Sequence, residues 1–270
     1  MSRQEDTDDL DRNNEESLEE SPVTGQSQER EGLRRGIYLL PNLITTGALF
    51  SGFYAIISAM SGVLENAAIA IIIAGFLDAM DGRIARLTNT QSEFGVQYDS
   101  LSDLVAFGVA PAVLMFSWVL SDLGKFGWMV AFLYMACAAL RLARFNTKPD
   151  NSVFFGLASP MAAGLVATSV WVWVDNTASD ATLPIGIPMA CLTVGAAVLM
   201  VSNIRYYSPK QVDMHRAPFM YMLVVAVLFA LIFANPPLVL LGLSIIYAAS
   251  GPVQAILRRR HKSPKIPGSP

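Results

Sequence analysis

The apolar residues of this chain neither alternate nor stripe one helical face; they run on. From Ile37 onward eight stretches, roughly 38–60, 64–86, 96–120, 126–146, 156–175, 184–202, 217–234 and 236–258, are apolar almost throughout. Each is close to the ~20 residues a helix needs to cross ~30 Å of hydrocarbon. The pattern therefore predicts an all-α fold, a polytopic transmembrane helical bundle of about eight helices. Gly and Pro interrupt the fifth and sixth stretches, so their ends are the least sharply defined. Asn235, Pro236 and Pro237 are all that separates the last two, a turn signal short enough to make them a helical hairpin.

Composition agrees with a membrane protein, at 53% hydrophobic and 15% charged residues. The net charge of −3 conceals an asymmetry: residues 1–31 hold 11 of the 22 acids and 3 of the 19 basic residues, leaving the rest of the chain basic. That first segment is polar and almost free of aliphatic side chains, so it cannot bury enough surface to offset its ordering entropy. It also lacks the apolar core of a signal peptide. The expected organisation is a disordered acidic tail over 1–33, a transmembrane catalytic domain over 34–258 and a basic tail over 259–270. Membrane lipids are the expected surroundings, and no nucleic-acid partner is expected.

Basic residues set the orientation. With the N-terminus in the cytoplasm, Arg34, Arg35, Arg83, Arg86, Arg141, Arg144, Lys148, Arg205, Lys210, Arg216 and the Arg258–Lys262 cluster all fall at one side, while Lys125 falls outside. The opposite loops carry Glu65, Asp122, Asp175 and Asp180. The positive-inside rule then puts both termini in the cytoplasm, in a cell (inner) membrane protein.

Against this background the run from Asp78 to Asp103 stands out. An aspartate at the middle of a membrane helix costs roughly 2.5 to 3.5 kcal/mol on insertion scales, so four close together call for cations, a substrate or both. Asp78 and Asp81 are i, i+3; Asp99 and Asp103 are i, i+4; each pair shares a face of its own helix. At 100° per residue, Asp78, Asp81, Gly82, Ala85 and Arg86 fall within an arc of about 140°, and Gly95, Asp99, Asp103 and Ala106 form a similar face. With one helix ending near Leu87 and the next beginning near Phe94, the two pairs face each other across a tight hairpin. Hard carboxylate ligands with no nearby His or Cys favour Mg²⁺ or Mn²⁺ over zinc, and such a cage can hold two ions against a pyrophosphate. Cys137 and Cys191, alone in separate apolar stretches, are expected to be packed thiols. His215 and His261 sit among basic residues and are expected to be interfacial side chains.

The pattern D-x2-D-G-x2-A-R-x8-G-x3-D-x3-D is filled without a gap by Asp78, Asp81, Gly82, Ala85, Arg86, Gly95, Asp99 and Asp103. It closely resembles the signature of the CDP-alcohol phosphatidyltransferases. That resemblance implies metal ligation by Asp78, Asp81 and Asp99, with Asp103 as the catalytic base that also reaches a metal. It further implies that Gly82, Ala85 and Gly95 leave room for the cytidine nucleotide of CDP-diacylglycerol and that Arg86 reaches its phosphates. A homodimer is implied as well. Pro41, Asn42 and Thr45 in YLLPNLITTG are similar to the family's first-helix element, whose polar residues border the nucleotide. A second reading is equally open for Asn42 and Thr45, as helix caps or bonds to a neighbouring helix.

Several flanking stretches, RRGIYLLPNLITTGALFSGFYAI, QYDSLSDLVAFGVAPA, ALRLARFNT, FFGLASP and SNIRYYSPK, resemble one branch of that family, the membrane-integral phosphatidylserine synthases. Ala158 departs from that branch, where a proline is expected. The implied reaction is transfer of a phosphatidyl group from CDP-diacylglycerol to L-serine with release of CMP. Serine presents a carboxylate, which a planar guanidinium binds bidentately. Arg141 and Arg144, with Asn146 close by, are candidates for that contact. They serve equally well as anchors reaching to the headgroups. Two rivals stand beside this reading: a sibling transferase using an alcohol such as glycerol 3-phosphate, and a cation transporter. The transporter would need its acids near the bilayer midplane, often in repeated halves, whereas this chain clusters four in one hairpin.

Overall fold

A computed structural model of the chain describes residues 24–88, 90, 92–147, 155–177, 183–204, 206 and 218–261. The chain divides into two compact units, 1–40 and 41–270. The second contains every candidate site residue named above. Among the described residues there are eight helices: α1 Thr24–Met60, α2 Leu64–Leu87, α3 Glu93–Trp118, α4 Lys125–Thr147, α5 Ser159–Asn176, α6 Leu183–Val201, α7 Pro218–Ala234 and α8 Pro236–His261. They follow the eight apolar stretches closely. The α7–α8 connection is the expected hairpin, broken only at Asn235.

Helix α1 begins at Thr24, within the span of the acidic tail, 1–33. The overlapping residues, TGQSQEREGL, include the good helix formers Gln26, Gln28, Glu29, Arg30, Glu31 and Leu33. Residues 1–23 and 262–270, and His215, lie outside the described residues. Cys137 is buried as expected, but Cys191 is exposed. Helix α6 is apolar all round, so its pattern could not tell a core face from one turned to lipid.

Four helical segments are long and apolar enough to cross a membrane by themselves: Leu40–Met60, Glu93–Trp118, Lys125–Thr147 and Pro236–Leu257. The protein is an integral membrane protein. Helix α2 owes its polarity to Asp78, Asp81, Arg83 and Arg86 at one end. Helix α5 is the enclosed one. Every residue from Ala162 to Val170 is buried, against α2 and α8 among others. Ala162, Ala163, Gly164 and Ala167 let neighbouring backbones approach, and the hydroxyls of Thr168 and Ser169 are satisfied by the carbonyls of Gly164 and Leu165, both at 2.7 Å. Helix α7 is the opposite case. It leans on α8 and exposes Met222, Val224, Phe229 and Phe233, side chains suited to lipid rather than water.

Helix α3 is not regular. Residues Leu104–Val109 form a π-helical turn immediately after Asp103. Pro111 has no N–H to donate to the carbonyl of Phe107 four residues earlier, and the buried Tyr134 hydroxyl of α4 donates to that carbonyl instead, at 3.2 Å. A methyl on Gly52 of α1 would lie 2.7 Å from the Cα of Ala106. Backbone therefore touches backbone where α1 meets the bulge, and α1 is pinned against the segment that carries Asp103.

Candidate active site

The α2–α3 hairpin positions the aspartates. Helix α2 ends at Leu87, and Ser92 caps α3 by accepting the N–H of Gly95 at 3.0 Å, the bond that a serine N-cap is expected to make. With that turn fixed, one carboxylate oxygen from each of Asp78, Asp99 and Asp103 lies within 4.8 Å of the others. Asp78 and Asp103 come close enough for their carboxyl groups to hydrogen-bond.

Three carboxylates so close repel one another unless protons or cations intervene. The spacing suits a shared cation: oxygens bound at 2.0–2.6 Å on opposite sides of one ion are about 4–5 Å apart. The donor set is all oxygen. Asp78, Asp99 and Asp103 can thus hold a divalent metal.

Asp81 stands apart from this trio. It is 4% exposed and accepts a hydrogen bond from the Thr45 hydroxyl at 2.7 Å, while remaining an electrostatic neighbour of Asp78 and Asp99. Thr45 also lies 3.0 Å from the carbonyl of Pro41, and its own carbonyl accepts from Ser102 at 3.2 Å. Of the two readings open for Thr45, the structure displays a bond to a neighbouring helix: it ties α1 to a carboxylate of α2 and to α3 beside Asp103.

The residues expected to border a nucleotide gather on the same side. A Cβ built on Gly95 would lie 3.1 Å from the Ser92 hydroxyl and 3.4 Å from Oδ1 of Asn42, so Asn42 faces the start of α3. At Gly82 a Cβ would meet nothing closer than Nη2 of Arg86, at 3.7 Å. Ala85 is half-buried. Arg86 is exposed and folds back along α2, its Nε donating to the Gly82 carbonyl at 2.9 Å. Gly82 thus leaves space beside Asp81, with an exposed guanidinium at its edge, while at Gly95 the missing side chain makes way for Ser92 and Asn42.

Arg141, Arg144 and Asn146 separate. Asn146 is exposed, and its Oδ1 accepts a hydrogen bond from Ser100 at 3.1 Å, joining the end of α4 to α3. Arg144 is exposed, with its guanidinium 5.7 Å from the centroid of the Phe155 ring. Arg141 turns inward. Asp103 is its foremost electrostatic neighbour, followed by Tyr247 and Tyr134. Its guanidinium lies 4.6 Å from the Phe145 ring centroid and donates through Nη1 to the hydroxyl of Ser159. Its Nε is buried without a hydrogen-bond partner.

Three residues near the site were not singled out from sequence: Tyr134, Ser159 and Tyr247. Pro111, two residues after the bulge, is the signal that an orphaned carbonyl needs a donor such as Tyr134. Ser159 lies within FFGLASP, a stretch the sequence marks without saying which atom matters.

A family profile described as CDP-alcohol phosphatidyltransferase matches residues 38–250. A Helicobacter pylori protein named CDP-diacylglycerol--serine O-phosphatidyltransferase is 38% identical over 222 residues, covering 78% of this chain and 90% of the relative. One of the same name from Bacillus subtilis is 35% identical over 168 residues, covering 62% of this chain and 89% of the relative. An archaetidylserine synthase from Methanothermobacter thermautotrophicus is 33% identical over 170 residues, covering 62% of this chain and 69% of the relative.

Proposed function

The chain belongs to the CDP-alcohol phosphatidyltransferase family, and we propose that it transfers the phosphatidyl group of CDP-diacylglycerol to L-serine, releasing CMP. The observation that carries this reading is the convergence of Asp78, Asp99 and Asp103 within 4.8 Å, with the inward-turned Arg141 as a neighbour of Asp103. The relatives named above, two bacterial serine transferases and one archaeal enzyme named for the same amino acid, support serine as the acceptor.

Asp78, Asp99 and Asp103 would hold divalent cation, Mg²⁺ or Mn²⁺, with Asp81 beside them as a further ligand. Bound there, two such ions would neutralise the pyrophosphate and the departing phosphate. The rest falls to the chain's own groups. Asp103 takes the proton of the serine hydroxyl. The freed oxygen bonds to the phosphorus that bears diacylglycerol, the bond from that phosphorus to the bridging oxygen breaks, and CMP departs with that oxygen. Gly82, Ala85 and Gly95 leave room for the nucleotide, Asn42 borders it, and Arg86 reaches its phosphates. Arg141 receives the serine carboxylate. The reading keeps the site and both termini cytoplasmic and the protein in the inner membrane as a homodimer, with the acyl chains entering between helices.

Purified protein supplied with CDP-diacylglycerol and a panel of labelled alcohols tests the acceptor. The expected product is phosphatidylserine; preferential labelling from glycerol 3-phosphate would move the chain to a sibling activity. For orientation, cysteine labelling in intact cells is expected to reach a probe near Lys125 and not one near Gln211. The reverse pattern would put the site on the other side.

A further inference from the structure

Arg141 is an unusual charge for a membrane helix, because one edge of its guanidinium is fixed while another lacks a partner. Nη1 is bound to Ser159, and Nε is buried with no hydrogen-bond partner. A buried N–H without an acceptor is destabilising, and a bound carboxylate would satisfy it, since a guanidinium presents planar pairs of N–H groups to such a ligand.

What holds the fixed edge is built from distant parts of the chain. Ser159 is fully buried at the first turn of α5. The backbone leading into it is clipped to the far end of α6: the N–H of Gly156 donates to Ile204 and that of Leu157 to Leu199, both at 2.9 Å. Gly156 has φ +78°, and a Cβ there would collide with the carbonyl of Met200. Only glycine makes this clip without strain. On α8, Tyr247 belongs to a separate aromatic pair. Its ring stacks on Tyr206 at 5.5 Å. Tyr206 is in turn held by a 3.1 Å hydrogen bond from its hydroxyl to the Ala248 carbonyl and sits where any side chain at position 251 would be, against Gly251.

We propose that Ser159 is a positioning residue for acceptor selection, orienting the Arg141 guanidinium so that its unpartnered Nε edge meets the carboxylate of an amino-acid alcohol. This rests on the reading that Arg141 binds that carboxylate. Ser159 acts through Arg141 and has no part in the bond-making step. Its effect is on which alcohol is accepted and how tightly, with the carboxylate cage and the lipid nucleotide left as they are.

The test measures KM for L-serine and for CDP-diacylglycerol separately, together with the rate ratio of L-serine to ethanolamine, an alcohol without the carboxylate. Variants are Ser159→Ala, Ser159→Thr, Ser159→Cys and Arg141→Lys. Ser159→Ala is expected to raise the serine KM at least fivefold, to leave the CDP-diacylglycerol KM within about twofold, and to lower the serine-to-ethanolamine ratio. Ser159→Thr restores the hydroxyl and with it most of the serine affinity. Ser159→Cys, whose sulfur is a weaker acceptor, shifts the same two readouts in the same direction by a smaller factor.

If Arg141→Lys raises the serine KM while Ser159→Ala and Ser159→Cys do not, the clamp stands and the positioning proposal is overturned. If Arg141→Lys also leaves serine KM and the ratio unchanged, the clamp itself fails. A Ser159→Ala protein that loses both affinities together, with no change in the ratio, identifies Ser159 as packing only and sinks the proposal. Should Ser159→Ala not fold, Ser159→Cys decides by the same criteria.

Discussion

The aspartate hairpin and the wall around Arg141 are neighbours, yet they are built in opposite ways. The hairpin draws its carboxylates from one continuous run of 26 residues, 78–103, and a single capped turn brings them together. The Arg141 wall takes one side chain from α4, one from the start of α5 and a backbone clip from the end of α6. Chemistry common to a whole family can sit in a local motif, because the motif carries its own geometry. In the proposed reading acceptor choice would sit where the tertiary fold supplies the geometry, and there a substitution in any of three segments would alter it.

The largest expected effect belongs to the hairpin. Asn at 78, 99 or 103 keeps the size of Asp and removes its charge, so each should lower turnover by about a thousandfold, within the range for lost acid–base and electrostatic groups. EDTA should abolish activity and added Mg²⁺ or Mn²⁺ should restore it. Full transferase activity in chelated protein would remove the cation from the site. Asp103→Asn should leave binding of CDP-diacylglycerol less affected than turnover, because its role lies in the transition state.

Next in size is the contrast within α4. Arg141 and Arg144 are one turn apart, but Arg141 is turned inward toward Asp103 and Arg144 is exposed against Phe155. Arg141→Lys should raise the serine KM about tenfold, equivalent to ~1.4 kcal/mol, since an ammonium cannot reproduce the planar fork. Arg144→Lys should stay within about twofold, ~0.4 kcal/mol. Equal effects would mean that the inward turn of Arg141 has no functional meaning.

This contrast also marks how far the sequence could be read. Eight apolar runs located eight helices because backbone polar groups in lipid must be satisfied within the helix, and the spacing put Asp78 with Asp81 and Asp99 with Asp103 on faces that a tight hairpin turns toward each other. Arg141 and Arg144 could not be told apart, because i, i+3 spacing puts both on one side of α4. Only the bond from Arg141 to Ser159, on another helix, distinguishes them. Asp81 was grouped with the other aspartates by spacing; that it is bonded to Thr45 depends on where α1 lies, fixed by the Gly52–Ala106 contact. The π-helical turn escaped for a different reason. Pro111 signals a missing donor, but whether the helix kinks, breaks or bulges depends on what receives the freed carbonyl, here Tyr134 from another helix.

Thr45 tests the edge of the hairpin. Its hydroxyl gives the buried Asp81 a hydrogen bond at 2.7 Å, and Thr45→Val keeps the shape while removing the donor. A hydrogen bond to a charged group contributes about 1.5–3 kcal/mol, but Asp81 retains a backbone partner at Gly82, so a smaller loss is expected. Turnover should fall about fivefold, ~1 kcal/mol, with Thr45→Ser near the parent. If Thr45→Val instead raises only the KM for CDP-diacylglycerol, the hydroxyl contacts the nucleotide and does not serve Asp81.

The smallest effect is expected at Asn146, where the hairpin and the wall meet. Its Oδ1 accepts a hydrogen bond from Ser100 at 3.1 Å, linking the residue after Asp99 to the end of α4. Both partners of that bond are accessible enough for water to replace it, which limits its net value to about 0.5–1.5 kcal/mol. Most of that concerns how firmly the helix ends are held. Asn146→Ala should therefore lower thermal stability slightly and leave both KM values within about twofold. A rise in serine KM matching that of Arg141→Lys, at unchanged stability, would give a different division of labour: the acceptor pocket would reach outward to the exposed end of α4, and the boundary between local motif and assembled wall would fall at Ser100 rather than at Asp103.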